Sequence, residues 1–130
     1  MVIRNLTGSY RRQVAWYADL ESVVGKILGR LILSRGDFAG VKADFEEKQR
    51  LLDRIEQERR DTVRDREIWR MRKNALSGEK EACEFDEVLL HAEVVIKKFL
   101  EAEGQLQRYV EQRMRQEHVP AVQGYQGNGL

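Results

Sequence analysis

The sequence predicts an all-α protein, an elongated three-helix antiparallel coiled-coil-like bundle with a disordered C-terminal tail. Three observations carry that expectation. Asp, Glu, Lys and Arg make up 35% of the chain, against roughly a quarter in an average soluble domain. Ala, Glu, Lys, Leu and Arg supply 60 of the 130 residues, close to the ~50% that marks long helices and coiled coils. Turn formers are scarce: Pro120 is the single proline, and Gly78 is the one glycine between Val41 and Glu103. A β-sandwich or barrel needs turn residues roughly every 8–12 positions. A parallel sheet needs buried Val/Ile-rich strands, and the runs of that kind here sit inside helical patterns.

The first helix is expected over about 9–34, opening at Ser9 as a good N-cap. Tyr17, Leu20, Val24, Ile27 and Leu31 follow the alternating three- and four-residue spacing of a coiled-coil seam. Val14, Leu28 and Ile32 widen it into a broad apolar face. Gly25 and Gly29 lie inside this helix and are expected at a close helix–helix approach. Ser34-Arg35-Gly36-Asp37 then reverses the chain. Gly36 suits the left-handed cap position and Asp37 can accept from the free amides of the next helix.

The second helix is expected over about 38–75. Its seam reads Phe38, Val41, Phe45, Lys48, Leu52 and Ile55 and fails after Ile55, where the same register gives Arg59, Thr62 and Arg66. The stretch from Glu56 to Lys73 carries seven basic and five acidic residues. It is expected to protrude, to fray, or to display a hydrophobic spot at Ile68, Trp69 and Met71. Ser77-Gly78 marks the second reversal. The third helix, about 79–117, has the cleanest seam: Phe85, Leu89, Ala92, Ile96, Phe99, Glu103, Leu106, Val110 and Arg113. Val88, Val95, Ala102 and Tyr109 form a second row beside it. One helical domain, 1–117, and a flexible Gly-rich tail, 118–130, follow from these limits.

Charge and composition narrow the chemistry. The formal charge is +1 from 23 basic and 22 acidic residues, and acids interleave with the arginines. A nucleic-acid-binding domain generally shows a pI above ~9 with basic residues gathered on one face, so no nucleic acid is expected as a partner. Cys83 stands alone, which rules out an internal disulfide and a thiolate cluster. No stretch reaches the ~18 apolar residues of a membrane span and the N-terminus lacks a signal-peptide core, so a cytoplasmic protein without membrane insertion is expected. P-loop, dinucleotide and zinc-helix motifs are missing. His91 and His118 are too far apart for a helical ligand pair, and the Glu-x-x-His pairs of carboxylate metal bundles do not occur. The protein is therefore expected not to be an enzyme and to use no cofactor and no metal.

Binding or scaffolding remains. Grooves between long amphipathic helices accept a partner helix through anchors at i, i+3, i+4 and i+7. The third helix has two apolar rows from Phe85 to Val110, more apolar surface than one neighbouring helix covers, with the part from Phe99 to Val110 facing the short seam of its hairpin partner. Ile68, Trp69 and Met71 form a secondary candidate surface.

Gly36-Asp37-Phe38, followed by the stretch from Asp44 to Ile55 with its Lys48-Gln49-Arg50-Leu51-Leu52 string, resembles the FlgN family of flagellar (type III) export chaperones, with FliT-like chaperones sharing much of the pattern. The resemblance spans roughly 10–113. It implies a non-enzymatic chaperone that binds the C-terminal amphipathic helices of hook–filament junction subunits before secretion, with the export apparatus as a further partner. Client binding in that family is associated with the C-terminal helix, which implies Val95, Ile96, Phe99, Leu106, Tyr109 and Val110 as the partner-binding residues here. The alternative reading is a structural coiled-coil or export-ATPase stalk-like adaptor, resembling the FliJ family, which works as a self-associating rod or homo-oligomer.

Overall fold

A computed structural model describes residues 2–123, with side chains through residue 116. The order is α1 (Val2–Ser34), a 3-10 turn (Ala39–Val41), α2 (Lys42–Asp61), α3 (Val63–Leu76) and α4 (Lys80–Gln123). The described residues contain no strand, so the all-α class holds.

The first helix starts well before the expected residue 9. Ser9 is not a cap: it is fully buried within α1, and its hydroxyl accepts a hydrogen bond from Gln13 Nε2 at 3.2 Å. The earlier turns are held by Ile3 and Leu6, which pack with Ala82 and Phe85. Burial of those side chains outweighs the local preference of Ser for a helix end. From Leu20 onward the expected seam is the observed one: Leu20, Val24, Ile27 and Leu31 are all fully buried. Gly25 and Gly29 are not at a helix contact. Both are exposed, and a Cβ added at either would meet nothing within 4 Å.

The reversal at Ser34–Phe38 is built as the sequence indicates. Arg35 and Gly36 take positive φ, 59° and 100°, and the Gly36 amide donates back to the Leu31 carbonyl at 2.9 Å. Asp37 Oδ1 accepts from the Gly40 amide at 3.1 Å. Chain reversal makes α2 run against α1, and Asp44 accepts from both Lys26 and Arg30 across the pair.

The helix expected over 38–75 is two helices. The break falls at Thr62, with φ −108° and ψ 9°. Its hydroxyl donates to the carbonyls of Glu58 and Arg59 at 3.0 and 3.3 Å, and Arg66 Nη2 donates to the same Arg59 carbonyl at 2.7 Å. A threonine bonding back to the preceding turn bends a helix, and the arginine satisfies the acceptor that the bend sets free. The bend turns α3 back toward the N-terminus of α1, so this segment does not protrude. Trp69 stands edge-on to Phe85, ring centroids 5.2 Å apart. Gly78, φ 95°, then reverses the chain into α4.

Helix α1 packs against each of the others. It runs parallel to α4: Arg4 pairs with Glu81 near both N-termini, and Tyr109 Oη donates to the Leu31 carbonyl at 3.0 Å near the other end. On α4 the buried residues Phe85, Ala92, Phe99 and Leu106 recur every seven positions, with Ala82 and Val95 buried beside them. That period is the winding of a left-handed coiled coil. The helix continues through Gln123, past the expected end at 117. The remainder of the expected tail, 124–130, lies outside the described residues.

The core is in two parts. The larger one holds Leu20 to Leu31 of α1, Val41, Leu51 and Ile55, and Phe99 and Leu106 of α4. The smaller joins Ile3 and Leu6 to Ala82 and Phe85, with Trp69 and Leu76 against it. Along α1 the buried polar residues Thr7, Ser9 and Gln13 lie between the two parts, with Thr62 buried at the α2–α3 break, while on α4 Ala92 and Val95 are buried between Phe85 and Phe99.

Candidate partner-binding surfaces

The six residues expected to form the binding face of α4 are placed mostly against α1. Phe99 and Leu106 are buried, and Val95 sits at the edge of burial. The Phe99 ring lies 5.7 Å from that of Tyr17. Tyr109 is half-buried and held by its bond to Leu31, Val110 packs beside it, and Ile96 is half-buried. The two rows on α4 are therefore the flanks of one buried stripe, and α1 is broad enough to cover most of both. The apolar residues of α4 left to solvent are others: Leu90, Val94, Leu100 and Met114. Of the secondary candidates, Ile68 and Trp69 are half-buried and turned toward the smaller cluster, and Met71 alone is open, at 85% exposed.

Spacing shows what α4 offers beside its buried stripe. Ile96, Leu100 and Glu103 share one flank, at intervals of four and three residues. Glu103 pairs with Lys48 of α2, each only about one-sixth exposed, which turns this flank toward α2. Both charges occupy seam positions in their helices, so the seam is closed at this level by an ion pair. Lys48 Nζ also lies 5.7 Å from the centre of the Phe45 ring.

Beyond the Lys48–Glu103 pair, the seam of α2 dissolves and a groove of about 550 Å³ opens over the middle of α1. Its floor is Tyr17, Leu52, Ile55 and Val63, and Arg59 and Arg66 stand on its walls. Tyr17 belongs at once to this floor and to the contact with Phe99. Partial burial raises the Tyr17 phenol above its usual pKa, and the charge of Arg59 acts in the opposite direction. The nearby Glu58 is held below the usual carboxylate range, first by its hydrogen bond from Arg12 and further by one from Ser9, against the opposing effect of burial. That ion pair, 2.6 Å long, ties α2 to α1 beside the bend at Thr62.

The sequence pointed to α4 and missed this groove. Its signal was present, because the loss of the α2 seam after Ile55 leaves Tyr17 with no apolar partner one turn further along. No family model, curated protein or solved structure matches the chain.

Proposed function

We propose that this chain is a non-enzymatic, cytoplasmic export chaperone of the kind its FlgN-like segments imply, holding an amphipathic C-terminal helix of a hook–filament junction subunit before secretion. In this reading α2 and α3 count as one bent arm of an elongated three-helix antiparallel bundle, and the export apparatus is the later partner. The observation that supports it is the groove over Tyr17. It has an apolar floor, charged walls and an extended shape between helices, which is what a helix-in-groove interaction uses. Since α1 already occupies Phe99 and Leu106, the client lies across Tyr17, Leu52 and Val63 rather than on the centre of the α4 stripe.

Three or four apolar anchors, each contributing on the order of 1.5–3 kcal/mol, give micromolar affinity after the cost of association. The test is titration of a labelled C-terminal peptide from a junction subunit. Leu52→Glu is expected to abolish binding with helicity unchanged, and Leu90→Glu, on the open side of α4, to leave it intact. Failure of the wild-type protein to bind any such peptide overturns the proposal. A tight dimer by light scattering in that same protein favours the stalk-like coiled-coil adaptor instead.

A further inference from the structure

Helix α3 is the exception in this molecule. Every other α-helix has buried residues, whereas α3 has none. Ion pairs join α1 to α2, α1 to α4 and α2 to α4, and others lie within α2. Among the described residues none involves α3. Yet α3 carries Arg64, Arg66, Arg70, Arg72 and Lys73 against only Asp65 and Glu67.

The inward side of α3 is fixed by Trp69 and Leu76, which pack on the smaller cluster. Helical spacing then places Val63, Arg64, Glu67, Arg70 and Met71 on the opposite side. Val63 is 43% exposed and Met71 85%. The outer face thus carries two arginines, one on either side of Glu67, with an open apolar side chain at each end.

We infer that the outer face of α3 docks an acidic amphipathic helix of another protein. Charge complementarity selects the sign of the partner: among the described residues Arg64 and Arg70 form no ion pair, and guanidinium forks pair well with carboxylates. The open Met71 and Val63 select the class. An open apolar residue beside an arginine, as Met71 is beside Arg70, meets nothing useful on a phosphate backbone, but it meets the Leu or Ile of an amphipathic helix, and methionine adapts to irregular partners. Val63 also borders the groove over Tyr17, whereas Arg64, Arg70 and Met71 lie outside that groove's lining and belong to this face alone.

The probe is a synthetic helix with leucine at its seam and glutamate elsewhere, titrated by fluorescence anisotropy. Its lysine counterpart and a single-stranded oligouridine serve as competitors. The glutamate helix is expected to bind, more weakly as salt rises, and Arg64→Glu with Arg70→Glu to reduce its affinity about tenfold or more. Leu52→Glu in the Tyr17 groove is expected to leave this binding unchanged, which separates the two sites. Amide chemical-shift changes in the unmodified protein, confined to 63–76, support the site even if the variant unfolds. Equal binding of the lysine helix, tighter binding of the oligouridine, or shifts confined elsewhere overturn it.

Discussion

Gly25 and Gly29 show how a residue acquires its meaning from the face it lies on. At i and i+4 in a helix they read as a close-packing pair, but they sit on the solvent side of α1 with open space where a Cβ would go. Neither has positive φ, so nothing in the fold requires glycine there. Each instead leaves the unfolded chain freer than alanine would, at a cost of about 1 kcal/mol in the helix. Gly25→Ala and Gly29→Ala are each expected to raise stability by roughly 0.5–1 kcal/mol, additively, as measured by urea denaturation. A loss of stability would place the pair at a helix contact after all. Gly36 and Gly78 are the contrast: both have positive φ and terminate helices, and there the sequence reading and the structure coincide. The difference is that a cap is a local property of the chain, whereas a packing face is settled by which other helix arrives.

At the scale of elements, the seams were legible wherever apolar residues repeated. Leu20 to Leu31 and Phe85 to Leu106 are buried in register with their spacing. Two things were not legible. Ser9 reads as a helix start, but Ile3 and Leu6 find partners on α4 that no local pattern reveals. Thr62 reads as one more weak seam position, but its hydroxyl bends the chain and converts one helix into two. The charged seam positions are informative in a third way. Lys48 and Glu103 stand where leucines belong and find each other. Removing one partner strands the other at low exposure, which is costly, whereas replacing both by apolar residues is often neutral or stabilising. Lys48→Met alone is expected to destabilise by about 1–3 kcal/mol, discounted from a fully buried pair because some solvent reaches it. Lys48→Met with Glu103→Leu is expected to recover most of that loss in the same denaturation assay. If the double substitution is as unstable as the sum of the singles, the pair is not coupled across α2 and α4.

At the scale of the whole molecule, the two clusters are unequal, and on α1 buried polar residues separate their members. The larger is supported by α1, α2 and α4 together. The smaller depends on α3, whose hold on it is Trp69 against Phe85, with Ile68 and Leu76 beside it. Buried Ser9, Gln13 and Thr62 transmit less packing energy than apolar side chains in their place, so opening one end need not disrupt the other. The free energy of opening is therefore expected to differ along the chain. Amides of 63–76 and 82–88 should exchange with deuterium well before those of 20–31 and 99–106. Trp69→Ala removes a half-buried indole worth about 2 kcal/mol at this site, below the 3–5 kcal/mol of a fully buried aromatic, and should speed exchange roughly 30-fold at that end alone. Uniform acceleration along the chain would mean that the two clusters open as a single unit. A difference confined to the α3 end would leave α1, α2 and α4 as a stable frame, with the Tyr17 groove at its boundary.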